Sequence, residues 1–365
     1  MTKLLNLSKS GKDYLFLGEQ LGLQDYTTVK YRVLEDFALK QRSQFWTESE
    51  IPLHRDVAQW QTLEPEYKDL CIKNLAFQVL GDSLAGRIPG MVLLSLCSNE
   101  ELEGLLILIG YFESLHSRSY THIIKSVMPD ADVVVKDEIR NNPFVSKRVE
   151  QISVVFDELY ELGLDYLQGG RNNVHAIKVL LVKAYFALYA LEAVLFYTSF
   201  ACNFGLANQD ILPGIANILT LIIKDEFLHA QADLAILNIL KEEWPVEYAE
   251  VLGSGYPEEL FEAVMQVEQE WADYVLPEGI NMVGLSADVL KKYSAYVTGQ
   301  AVRQLGISLP GLAVERNPIP WVDKFIDLTK LQVAPQETQI LSYRVASVSI
   351  DSEEDLKDAV TAWLD

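Results

Sequence analysis

The sequence predicts an all-α protein, a helical bundle with a C-terminal extension. Three observations predict it: apolar residues recur with helical periodicity through most of the chain, strand-like alternation is sparse, and turn-forming residues fall between the periodic stretches. The periodic stretches run roughly over 64–98, 100–128, 147–169, 175–204, 208–241, 256–276 and 286–308. Pro129-Asp130, the Gly169-to-Asn173 run and the stretch from Gly253 to Pro257 separate them.

The stretch around 175–204 is apolar on nearly every face, as expected of a central helix wrapped by others. Its length also invites a membrane-spanning reading between Val179 and Leu206, but Lys183 and Glu192 interrupt it, and an ionisable group at mid-bilayer is costly. A buried helix, with no membrane, is therefore expected. From Asn317 onward the pattern changes, with Pro318, Pro320 and Pro335 in a poorly periodic stretch. The division expected is a helical domain over 1–336 and an acidic tail over 337–365. The tail ends in AVTAWLD, where Val360, Trp363 and Leu364 follow an acidic run that begins at Asp351. Apolar residues at the tip of such a tail either fray in solvent or dock into a partner's groove.

Composition narrows the function. The chain has 365 residues, 49% of them hydrophobic, enough for a large core. Its 52 acidic and 30 basic residues give a net charge of −22, which argues against a nucleic-acid partner, because phosphate contacts require clustered Lys and Arg. Cys71, Cys97 and Cys202 are odd in number, far apart and set among apolar residues, so neither a disulfide framework nor a zinc site is indicated. Together with an N-terminus that lacks a secretory pattern, this suits a reducing cytoplasm.

Only five histidines occur, and two sit three residues after a glutamate: Glu113 with His116, and Glu226 with His229. That spacing puts both side chains on one helix face, one turn apart, where they can share an ion. A single such pair is unremarkable and usually lies on a surface. Each of these, however, has a lone carboxylate about thirty residues upstream in an apolar helix: Asp82 before the first, Glu192 before the second. A buried carboxylate pairs, protonates or binds metal, because an isolated charge in the interior is expensive. Four carboxylates and two imidazoles converging in a bundle form the ligand set of ferritin-like di-iron and di-manganese proteins.

Seven strings in order along most of the chain carry a family resemblance: QFW (44–46), LGDSLAGR (80–87), FESLHSRSYTHII (112–124), LEAVLFYTSFAC (191–202), KDEFLHA (224–230), RNPIPW (316–321) and QVAPQE (332–337). Together they resemble the small subunit of class I ribonucleotide reductase, and ESLHSRSYTHI is similar to the bacterial and phage branch that stores a tyrosyl radical. The resemblance implies that Asp82, Glu113 and His116 bind one metal and Glu192, Glu226 and His229 the other, with Glu113 and Glu226 bridging or nearly so. Two iron ions per chain are implied, with manganese an alternative.

Tyr120 matches the radical tyrosine, and its place four residues past His116 puts it on the metal-facing side of the same helix. Phe196, Phe200 and Ile222 fall on metal-facing stripes and are expected to keep it dry, although core packing alone predicts the same burial. Trp46 and Asp225 match residues that pass the radical outward from His116, and Tyr343 matches a tail tyrosine that hands it to a large subunit. From the residues alone, Trp46 would be a core residue and Asp225 a carboxylate orienting a histidine. The resemblance further implies O2 activation, a homodimer, and docking of the tail on the large subunit, which holds the nucleotide. The rivals are another ferritin-like di-iron oxidase of the desaturase or ligand-binding type, and an iron-handling protein of the ferritin kind.

Overall fold

The computed structural model describes residues 4–9, 13–170, 173–282, 284–310, 312 and 316–326. Tyr343 and the tail over 337–365 lie outside the described residues. Eleven helices of eight or more residues are described: α1 Arg32–Ser43, α2 His54–Thr62, α3 Pro65–Ala85, α4 Glu100–Val127, α5 Pro143–Leu167, α6 Val174–Ala190, α7 Phe196–Asn208, α8 Pro213–Glu243, α9 Pro245–Gly253, α10 Tyr256–Val275 and α11 Ala287–Leu305. Among the described residues there is no strand, only two isolated bridges, Phe16 with Cys97 and Met282 with Leu285.

The helix ends follow local chemistry. The Asn99 side chain accepts from the Leu102 N–H at the start of α4, and Glu100, Glu101 and Glu103 fill that first turn, where the helix dipole favours negative charge. Asn142 caps α5 by accepting from Phe144, with Pro143 at the first helical position. Ser286 caps α11, which ends at Gly306 in the left-handed region (φ 71°). The N-terminus of α8 is capped differently. Its N-cap residue, Leu212, sits at φ 51° and has no side chain to offer, so Asp56 of α2 reaches across and accepts from the N–H groups of Gly214 (3.0 Å) and Ile215 (2.6 Å).

The expected central helix is present but interrupted. Leu191–Leu195 is a single π-helical segment between α6 and α7. The run from Val174 to Asn208 is long and apolar enough to cross a membrane, yet 78% of its most apolar window is buried inside the protein. Its hydrophobicity serves a core wrapped by helices. All three cysteines are free and buried. Two short helices, α1 and α2, lie where the sequence shows no clear periodicity; α1 packs on both α4 and α8.

α3, α4, α6 with its π segment, and α8 enclose the polar centre. α3 packs on α4 and α7, and α8 packs on α4, α6 and α7. Each contributes carboxylate or histidine residues pointing inward, in an interior otherwise made of Leu, Ile, Phe and Ala.

Candidate metal centre

Asp82, Glu113, His116, Glu192, Glu226 and His229 are all at most 2% exposed. Their donor atoms form two overlapping groups: Asp82, Glu113, His116 and Glu226 in one, and Glu113, Glu192, Glu226 and His229 in the other, with the atoms of each group within 4.8 Å of one another. Glu113 and Glu226 belong to both. His116 Nδ1 lies 3.0 Å from Glu226 Oε1 and 3.7 Å from Asp82 Oδ2, while His229 Nδ1 lies 2.9 Å from Glu113 Oε1 and 3.9 Å from Glu192 Oε2. Each glutamate therefore approaches the histidine of the opposite E-x-x-H pair more closely than its own. Helix spacing explains why the i, i+3 partners share a face; crossing α4 against α8 exchanges them.

These close approaches are not aligned hydrogen bonds. Both carboxylate oxygens of Asp82, Glu113 and Glu226, Oε2 of Glu192, and Nδ1 of both histidines are buried without a hydrogen-bond partner. Buried polar atoms are almost always satisfied, because leaving one bare costs on the order of 1–3 kcal/mol. Lone pairs aimed at shared points are what cations require, so the residues present fit a carboxylate-bridged pair of metal ions.

Electrostatics agree. Burial, reinforced by the neighbouring glutamates, pushes Asp82 and Glu192 well above the ordinary carboxylate range, and Glu113 is raised for the same reasons. Glu226 alone is held low despite its burial, by the adjacent Glu192 carboxyl group and by the facing imidazoles. Burial would depress both imidazoles, but Glu226 and Asp225 facing His116, and Glu113 and Glu226 facing His229, outweigh it and raise them, His229 to about 10. Four carboxylates against two imidazoles leave a site short of positive charge.

Tyr120 is fully buried, its Oη facing the Asp82 carboxylate without a well-aligned hydrogen bond. Phe196, Phe200 and Ile222 are each 0% exposed. Phe196 also lies 5.7 Å, ring to ring, from Phe77 and 6.2 Å from Phe200, a continuous aromatic layer. Gly81 is required beneath it, since a Cβ there would meet the Phe196 ring at 2.7 Å.

On the other side of His116, Nε2 lies 3.1 Å from Asp225 Oδ2, the same oxygen that accepts from Trp46 Nε1 at 2.8 Å. The Trp46 and His116 rings are near-parallel, 6.1 Å apart. Gln41 Nε2 donates to the remaining oxygen, Oδ1, at 2.8 Å. Sequence reasoning missed Gln41, because it lies on α1, whose periodicity is weak, and nothing local ties it to Asp225.

Arg148 was also missed. It is 2% exposed, donates to Glu268 (Nε to Oε1, 2.7 Å), to Ser199 Oγ (2.8 Å) and to the Leu195 carbonyl (2.6 Å), and is sandwiched by Phe77 and Trp271. It thus secures the end of the π segment that carries Glu192. Nothing local marked it, since Arg148 sits in the polar run Ser146-Lys147-Arg148-Val149-Glu150 and its buried partner Glu268 lies 120 residues away.

Fold and site define a helical-bundle protein with a buried carboxylate-histidine site of the dimetal type. The family model for the ribonucleotide reductase small chain matches residues 24–309. The chain belongs to that family. It is 38% identical to ribonucleoside-diphosphate reductase 1 subunit beta of Salmonella typhimurium, over 95% of both chains, and 31% identical to the subunit beta of enterobacteria phage T4, over 93% of both. Among solved structures, the fold is similar to the ribonucleotide reductase R2 subunit from Clostridium botulinum (TM-score 0.76, 21% identity, covering 89% of this chain and 98% of that one). It is also similar to dimanganese(II)-NrdF from Streptococcus sanguinis (TM-score 0.68, 22% identity, 83% and 98%).

Proposed function

We propose that this chain is the radical-generating small subunit of a class I ribonucleoside-diphosphate reductase, with the radical stored on Tyr120. Family membership supports the subunit; the observation that carries the radical is a fully buried phenol facing one carboxylate of a dimetal site. Asp82, Glu113, His116, Glu192, Glu226 and His229 would hold two metal ions, with Glu113 and Glu226 common to both. Bound there in reduced form, such ions would activate O2 and so supply the oxidant that accepts the electron from Tyr120. Iron is the metal proposed; the hard carboxylate set accepts manganese as well.

The residues of the chain do the rest. Asp82 receives or shares the phenolic proton of Tyr120, which loses one electron and one proton to become a neutral phenoxyl radical. Phe196, Phe200 and Ile222 exclude water and reductants from it. His116, Asp225 and Trp46 form a hydrogen-bonded route leading away from the site, and Gln41 fixes Asp225 from the other side. Tyr343 would continue the route from the tail. The nucleotide is reduced on the large subunit, on which residues 337–365 would dock, and the chain would act as a cytoplasmic homodimer. The relatives described above are reductase subunits, which leaves the desaturase and ferritin rivals without support.

Metal-free protein given Fe(II) and air is expected to develop a tyrosyl signal in electron paramagnetic resonance, and Tyr120→Phe to lose it. No signal in the wild-type protein, or an undiminished one in the variant, would sink the assignment.

A further inference from the structure

The residues described so far support the two histidines unequally. His116 turns Nδ1 toward the carboxylates and gives Nε2 to Asp225. His229 also turns Nδ1 inward, 2.9 Å from Glu113, but its Nε2 is buried without a hydrogen-bond partner. A metal-binding imidazole normally has its far N–H held by a carboxylate, a carbonyl or water, which fixes both tautomer and ring orientation.

One helical turn beyond His229 on α8 stands Asp233, 2% exposed, with Oδ2 likewise buried and unpartnered and with His229 within its electrostatic reach. From α6, which packs on α8, Tyr185 lies within electrostatic reach of the same carboxylate. Tyr185 is 0% exposed and its Oη has no hydrogen-bond partner. The next tyrosine on that helix, Tyr189, is occupied elsewhere, within 3.4 Å of the Ala301 carbonyl and 3.3 Å of Gln304 Oε1. An N–H donor, a carboxylate and an O–H donor thus lie bare in one apolar region. Each bare group would cost roughly 1–3 kcal/mol, so packing alone does not account for three complementary ones together.

We propose that Asp233 is the positioning carboxylate of His229, accepting from its Nε2–H, and that Tyr185 donates its hydroxyl to Asp233. The pair is the counterpart, on the Glu192 side of the site, of Asp225 and Trp46 on the Asp82 side. The two groups stand beyond direct hydrogen-bond distance, so the link runs through one bound water or closes by a small rotation of the carboxylate. The two supports differ in construction. Asp225 precedes its glutamate neighbour on α8 and crosses to a histidine on α4, whereas Asp233 serves a histidine on its own helix.

The inference rests on the dimetal reading, and Co(II) binding to the metal-free full chain without oxygen, in competition with a chelator, separates the two. The wild-type protein should bind two Co(II) ions. Asp233→Leu should weaken one of them by about 10–100-fold and the other by no more than about threefold, and should change the d–d absorption of the weakened ion. Asp233→Asn, which still accepts through its amide oxygen, should lose less, and Tyr185→Phe should show a smaller loss at the same ion. Asp233→Leu strands the His229 N–H and the Tyr185 O–H, so the metal-free protein should melt slightly lower, whereas Asp233→Asn, which still accepts, should melt close to the wild type. If Asp233→Leu bound both ions like the wild type, or weakened both alike, Asp233 would not position His229. A wild-type protein that bound no Co(II) would sink the dimetal reading and this inference with it.

Discussion

The metal-free centre holds its own surplus of negative charge by taking up protons, and this gives the site a pH signature. His229 is raised to about 10, by its carboxylate neighbours against the pull of burial. A raised imidazole stabilises the fold fully below its unfolded value of about 6.5, and that contribution is lost as pH rises through about 10. Asp82 and Glu192, raised by burial, act in the same direction, since the fold loses stability as pH climbs above the ordinary carboxylate range. Metal ligands must shed these same protons, so binding is favoured as pH rises. The gap in melting temperature between Mn(II)-loaded and chelated protein should therefore widen from about pH 6 to about pH 9; calorimetry that found a constant gap would contradict the charge balance described. Outside the ligands, Trp46→Phe removes the indole donor to Asp225 but leaves the Tyr120 surroundings intact. The radical should still form, while nucleotide reduction with the large subunit should drop by about 10–100-fold or more, as for partners that orient metal-bound histidines.

α8 carries two of the six candidate ligands, Glu226 and His229, together with Asp225 and Asp233, so its axial position sets much of the site. Its N-terminus is anchored by Asp56 from another helix, and Asp56→Ala leaves the Gly214 and Ile215 N–H groups buried and bare. A loss of about 1–2 kcal/mol is expected in urea unfolding. Gly214 is also confined, because a Cβ there would lie 2.9 Å from the Pro52 carbonyl. The π segment Leu191–Leu195 places Glu192, and Arg148 holds its end through the Leu195 carbonyl. Arg148→Met strands the Glu268 carboxylate in the core and should cost about 3–5 kcal/mol; adding Glu268→Leu should recover most of it, since two apolar residues replace an ion pair. If the double variant were no more stable than the single one, the cost would lie in the lost Leu195 contact instead.

For the whole molecule, the proposed function puts metal chemistry and partner docking on separate stretches of chain. A protein ending at Gln336 should keep both metal ions and the Tyr120 radical yet fail to support nucleotide reduction by the large subunit, and the missing tail supplied as a peptide should inhibit the intact pair. Loss of the radical on truncation would show that the helical domain depends on the tail. The −22 net charge concerns association and solubility more than fold, and salt titration of the two subunits measures how far it resists or assists their encounter.

The sequence by itself determined the all-α class and singled out the six candidate ligands with their pairing on helix faces, because helical periodicity and the i, i+3 rule are local and survive in any packing. Burial of Asp82 and Glu192 was legible for a related reason: a lone acid in an apolar helix must have a purpose. Tyr120, Trp46 and Asp225 took their roles from family resemblance, and the structure supplies their contacts. Tertiary structure alone decided the exchange of glutamates between the two histidines, the Gln41 and Trp46 hold on Asp225, the Arg148 anchor, and the grouping of Asp233 with Tyr185. Trp46 and Asp225 are 179 residues apart, and Arg148 and Glu268 are 120 apart. No local pattern encodes such pairs; they exist only where helices cross, and the crossing is fixed by how the apolar faces of the whole bundle pack.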